Sequence, residues 1–166
     1  MTGVYRLPYV ASRRKKLWRH GYQIRSGLDT KIPHVSPELP KWHSEGLLRI
    51  LIVDDNAAVR RLMRSMIRSF AGEIFECAGG VEAISAYHAR KPDVALMDIR
   101  MDEVDGIQAT TQIKAYDPEA RVVIVTDYDD DTLRQAAIRA GACGYVLKDN
   151  LLDLVRLLEE IQRSLQ

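Results

Sequence analysis

Asp54, Asp55, Asp98, Thr126 and Lys148 are the residues of this chain best suited to chemistry, because each stands at the end of a short apolar run. The runs are Leu48 to Val53 before the acidic pair, Asp93 to Met97 before Asp98, Arg121 to Val125 before Thr126, and Gly144 to Leu147 before Lys148. Read as parallel strands, they bring three carboxylates, a hydroxyl and an ammonium to one sheet edge, where ligands of such sheets bind. Carboxylates so close repel one another, and some stay protonated unless a positive charge compensates. A divalent cation removes the conflict. Mg²⁺ suits the donors, being a hard ion that takes carboxylate oxygen, keeps several waters and completes its shell with phosphate oxygen. The cluster then fits a phosphoryl group as well as a metal. A carboxylate can attack phosphorus and form an acyl phosphate, and Asp98 is the candidate nucleophile. The charge of the transition state lies on the phosphoryl oxygens. Mg²⁺ would take one of them, Lys148 a second, and the Thr126 hydroxyl with backbone N–H groups the third.

The elements that must position these residues alternate. The first strand, Leu48 to Val53, is followed by a helix capped by Asn56. Its Val59, Leu62, Met63, Met66, Ile67 and Phe70 form one apolar stripe, with Arg60, Arg61, Arg64 and Arg68 on the solvent side. Gly72 is expected to end that helix before a weak second strand, Glu73 to Cys77. Gly79-Gly80 opens a second helix, closed before Pro92, and Gly106 precedes a third. The fourth strand is the clearest, with β-branched residues at five consecutive positions from Val122 to Thr126. An acidic loop, Asp127 to Asp131, leads to a helix stopped by Gly141. After the fifth strand, Gly144 to Lys148, Asn150 caps a last helix. Five strands, each followed by a helix, imply an α/β fold: a doubly wound parallel sheet covered on both faces.

Charge divides the chain. Residues 1–46 hold nine Lys/Arg and three Asp/Glu, a balance of +6, whereas 47–166 hold fifteen and twenty, a balance of −5. The first part also holds four of the six prolines and no sustained apolar period, so it reads as a flexible, disordered basic extension of residues 1–46 before a domain of residues 47–166. A misassigned start, leaving those residues without a role, is an equal alternative. Arg13-Arg14 lacks the apolar stretch of a twin-arginine export signal. No run approaches the ~18 apolar residues of a membrane helix, so no membrane span is expected. Cys77 and Cys143 have no paired spacing, which argues against a disulfide scaffold or a zinc site and for a cytoplasmic setting.

From about Leu48 to Gln166 the chain resembles a response-regulator receiver domain of two-component signalling. The matching pieces are Ile52-Val53-Asp54-Asp55, Met97-Asp98-Ile99-Arg100-Met101 with Asp105-Gly106, Val125-Thr126, and Gly144-Tyr145-Val146-Leu147-Lys148. The resemblance implies a flavodoxin-like sheet of strand order 2-1-3-4-5 with five helices. It implies that Asp98 is phosphorylated by a phosphohistidine of a sensor histidine kinase, and that Asp54, Asp55, Asp98 and the Arg100 backbone carbonyl bind Mg²⁺. Thr126 and Tyr145 would form a switch pair that alters the face made by helix four, strand five and helix five. That face would signal to a partner or to a second copy. The stretch from Asp129 to Lys148 looks most like receivers joined to a helix-turn-helix domain. Here the chain stops after the fifth helix, so a stand-alone receiver is expected.

Two residues depart from the family pattern. Asp102 stands where a proline is usual after Met101. Asp127 follows Thr126, where it would repel a phosphodonor or orient a hydrolytic water. Plainer readings stay open: Asp54-Asp55 as helix-capping acids, Lys148 as a solvated charge and Tyr145 as edge packing. Two other functions compete with a phosphoacceptor that is not an enzyme beyond self-dephosphorylation. A DNA-associated regulator would use the basic extension in salt-dependent nucleic-acid binding, although no groove-reading element is visible. An aspartyl-phosphate phosphatase of the haloacid dehalogenase type would want a second aspartate two positions after the nucleophile, where this chain has Arg100.

Overall fold

The computed structural model describes residues 46–166, so the expected extension lies, but for Gly46, outside the described residues. Five strands, β1 (Leu48–Val53), β2 (Ala71–Cys77), β3 (Val94–Met97), β4 (Val122–Thr126) and β5 (Gly144–Leu147), form one parallel sheet in the order β2-β1-β3-β4-β5. Between and after them run α1 (Ala57–Ile67), α2 (Gly80–Arg90), α3 (Gly106–Tyr116), α4 (Asp131–Ala140) and α5 (Leu151–Leu165). This is the expected flavodoxin-like architecture.

Side chains alternate along each strand, so the sheet has two apolar faces. Ile50, Ile52, Leu96, Val123, Val125 and Val146 pack against Met63 and Ile67 of α1 and Leu154, Leu158 and Ile161 of α5. Leu51, Val53, Met97 and Ile124 pack on the other face against α2, α3 and α4. The central strands β1, β3 and β4 are almost wholly buried, which is why their sequences read as continuous apolar runs.

Four local readings need correction. The first helix ends at Ile67, and β2 already begins at Ala71, with Gly72 inside it. The pairing runs Leu48 to Ala71 and Arg49 to Glu73, so Gly72 is the unpaired residue of a bulge and no helix stop. Leu62 faces solvent at 52% exposure, because the buried stripe of α1 narrows to Met63 and Ile67. Lys148 lies outside β5 and opens a single 3-10 turn, Lys148–Asn150. Asn150 occupies the N-cap position of α5, but its side-chain amide donates to Asp153 (2.7 Å) and accepts no backbone N–H.

The loop from Asp98 to α3 is held by close backbone approach. Gly106 N–H donates to the Ile99 carbonyl (2.9 Å), and the Asp105 side chain caps α3 by accepting from Gln108 N–H (2.8 Å). A Cβ on Gly106 would overlap the Asp98 carbonyl oxygen, whereas one on Gly79 would meet open space. Gly106→Ala should therefore destabilise the protein by about 3 kcal/mol or more, since backbone must move to admit the methyl. Gly79→Ala should stay within about 1 kcal/mol of wild type. Urea denaturation of both variants checks this pair, and equal midpoints would refute the crowding.

Candidate functional site

Register brings the acidic residues together. Val53 of β1 pairs with Met97 of β3, so Asp54 and Asp98, each one residue further, leave the sheet side by side. Thr126, the last residue of β4, pairs with Leu147, so Lys148 follows at the same edge. The Asp98 N–H donates to the Val53 carbonyl (2.9 Å) and the Asp54 N–H to the Cys77 carbonyl (3.2 Å), which extends the ladder to both acids.

Each buried carboxylate spends one oxygen on local backbone and turns the other to the lysine. Asp54 Oδ1 accepts from the Asn56 N–H (2.8 Å), and Asp98 Oδ1 accepts from the Ile99 N–H (2.8 Å). Lys148 Nζ lies 2.8 Å from Asp54 Oδ2 and 3.2 Å from Asp98 Oδ2. The Asp54 Oδ2 oxygen is buried and is met by the ammonium but by no backbone N–H, which leaves it a lone pair for a cation. Asp54 is fully buried and Asp98 only 4% exposed, while Asp55 faces solvent. Carboxylate oxygens of Asp54, Asp55 and Asp98 lie within 4.8 Å of one another.

Burial pushes the Asp98 carboxyl above the ordinary aspartate range, the Lys148 ammonium pulls it back, and the Asp54 charge pushes it up again. Burial alone would lower the Lys148 pKa, but the Asp54 and Asp98 carboxylates outweigh that and hold it above the usual lysine value. The ammonium is thus fixed as charged, and the net upward shift of Asp98 comes first from its burial.

The other expected residues fall around this centre. Thr126 is fully buried, and its Oγ1 accepts a long contact from the Tyr128 N–H (3.5 Å). Tyr145 is half-buried against the α2–α4 face of the sheet and donates its hydroxyl to the Tyr128 carbonyl (2.7 Å). Arg100 is exposed, with its guanidinium carbon 4.7 Å from the centre of the Tyr128 ring. Asp127, one of the two departures, is 70% exposed and lies 3.5 Å from Lys148 Nζ, so the lysine faces three acids. In the loop at Asp102, the other departure, the Val104 N–H donates to the Asp102 carbonyl (2.8 Å) around Glu103, whose φ is +63°. That is a tight, three-residue turn with its central residue in the left-handed region.

Two residues that support the site were missed in the sequence. Arg60, expected on the solvent side of α1, turns inward to donate to the Asp54 carbonyl (2.6 Å) and pairs with Glu76 (3.4 Å). Helical periodicity cannot reveal this, because the long stem carries the head off its own face. Tyr128 lay within a run read only as a solvated acidic loop, and an aromatic between acids was the one available signal.

Residues 50–162 match the family model described as response regulator receiver domain. The chemotaxis protein CheY of Listeria monocytogenes is 33% identical over 119 residues, which cover 71% of this chain and 98% of CheY. The crystal structure of a LuxR-family two-component response regulator from Aurantimonas sp. SI85-9A1 has 34% identity and a TM-score of 0.67, covering 70% of this chain and 86% of its own. The CheX-CheY-BeF3-Mg+2 complex from Borrelia burgdorferi has 25% identity and a TM-score of 0.63, covering 70% and 93%.

The raised Asp98 pKa sets the sign of a stability change. The folded state holds this proton more tightly than the unfolded chain does. The contribution of Asp98 is therefore most favourable below its unfolded pKa and is lost as pH rises through the folded one. Asp98→Asn removes the charge and keeps the shape. It should raise the urea midpoint at about pH 7.5, and the gain should shrink towards about pH 5. A lower midpoint than wild type at the higher pH would contradict this reading of the pocket.

Proposed function

This chain belongs to the response-regulator receiver family, and on that premise we propose that it is a phosphoacceptor of two-component signalling, modified on Asp98 by a sensor histidine kinase. The observation that carries the reading is the contact of one buried ammonium with both buried acids, Lys148 with Asp54 at 2.8 Å and with Asp98 at 3.2 Å.

In the proposed reaction an Asp98 carboxylate oxygen attacks the phosphorus of a phosphohistidine. The new O–P bond makes an acyl phosphate as the N–P bond breaks, and the departing imidazole nitrogen keeps the electron pair and gains a proton from solvent. Lys148 neutralises a phosphoryl oxygen, and the buried Thr126 hydroxyl donates to another. Hydrolysis by water returns free phosphate and the Asp98 carboxylate, so the protein resets without being an enzyme on a separate substrate.

The donor set fits Mg²⁺: three clustered carboxylates, one with a buried oxygen that meets the Lys148 ammonium but no backbone N–H. Asp54, Asp55, Asp98 and the Arg100 backbone carbonyl would hold the ion, which when bound neutralises charge on the transferring phosphoryl group. Thr126 and Tyr145 would report the new charge to the α4–β5–α5 face, for a partner protein or a second copy to read. Among the described residues no helix is long and apolar enough to cross a membrane.

Mass spectrometry after acetyl phosphate and Mg²⁺ tests the chemistry without the kinase. Wild type should gain one phosphoryl group on Asp98, Asp98→Ala should gain none, and omission of Mg²⁺ should slow labelling at least about tenfold. Unlabelled wild type, or equal labelling of Asp98→Ala, would overturn the proposal.

A further inference from the structure

Tyr128 is held through its N–H, its carbonyl and its ring by three different parts of the fold. Its N–H points to the Thr126 hydroxyl (3.5 Å), and its carbonyl accepts from the Tyr145 hydroxyl (2.7 Å). Its ring lies under the Arg100 guanidinium (4.7 Å), from the loop that leaves Asp98. The far side of Tyr145 is held as well. The Arg134 guanidinium carbon of α4 lies 4.4 Å from the centre of the Tyr145 ring, and Arg134 pairs with Asp129 (2.6 Å) in the loop that carries Tyr128.

These contacts differ in weight. Asp129 is 71% exposed, so its ion pair is screened and contributes little. The Arg134 side chain is only 14% exposed, so its stack on Tyr145 is largely desolvated and is the stronger part. A planar guanidinium on an aromatic face resists rotation of the ring about χ1, because rotation forfeits the stack and the Tyr128 hydrogen bond together.

We infer that Arg134 is a positioning residue for the switch: with Tyr128 it latches Tyr145 in its bonded position, and so biases that side chain before Asp98 carries any phosphoryl group. The latch ties β5 and α4 to the loop after Thr126, and through Arg100 to the loop after Asp98. It rests on the reading of Tyr145 as the switch. Its consequence is a switch whose resting equilibrium is set by α4, so that a change in the Asp98 pocket acts on a tyrosine already partly committed.

The test uses 3-fluorotyrosine placed at position 145 of the full chain and ¹⁹F NMR without any phosphodonor. Wild type should show one dominant resonance. Arg134→Gln should raise a second resonance, changing the population ratio roughly fivefold. Arg134→Lys, which keeps the charge but not the planar stack, should fall between the two. Spectra of Arg134→Gln that superimpose on wild type would overturn the latch. If the Gln variant does not fold, a Lys spectrum identical to wild type overturns it alone. Failure of Asp98 to accept a phosphoryl group would sink the phosphoacceptor reading and leave these spectra, recorded without donor, to judge the latch separately.

Discussion

Too much negative charge in too little space is the condition under which the rest of this structure operates. Asp54, Asp98 and Asp127 all lie within ion-pair distance of the single Lys148 ammonium, and Asp55 adds its carboxylate to the same cluster. One positive charge cannot balance four negative ones, and burial makes the imbalance worse for Asp54 and Asp98. The pocket is therefore poised towards whatever relieves it: a proton on Asp98, or a cation bound among the oxygens. In the proposed function a phosphoryl group would bring further negative charge, so its attachment would be felt by neighbouring groups.

The fold exists to hold that unfavourable arrangement in place. A parallel sheet with three nearly buried strands anchors Asp54, Asp98 and Thr126 at strand ends, while apolar packing on both faces offsets the electrostatic cost. Backbone N–H groups at Asn56 and Ile99 fix one oxygen of each buried acid, which leaves the other aimed at the lysine. The absence of a Cβ at Gly106 lets the loop after Asp98 return close to the strand.

The chemistry of the pocket could be read from residue types because the strands are short, apolar and end abruptly in acids, a threonine and a lysine. Parallel pairing then does the placing, since Val53 pairs with Met97 and Thr126 with Leu147, which brings the strand ends to one edge. What the sequence hid depends on backbone detail or on long side chains. Gly72 looked like a helix stop, yet it absorbs the extra residue of a bulge, a distinction only the β1–β2 register makes. Arg60 looked solvated because it falls outside the apolar stripe of the helix, whereas its head reaches the Asp54 carbonyl. The contacts of Tyr128 are made by its backbone and ring to residues 17 and 28 positions away, at Tyr145 and Arg100, and no local pattern encodes them.

A direct trial of the charge imbalance is calorimetric titration of Mg²⁺ into wild type and into Asp55→Asn, whose altered side chain is exposed and so leaves the core intact. Surplus carboxylate charge predicts one ion bound per wild-type chain, with affinity falling at least about tenfold in the variant. Equal affinities, or no binding to wild type, would contradict the account.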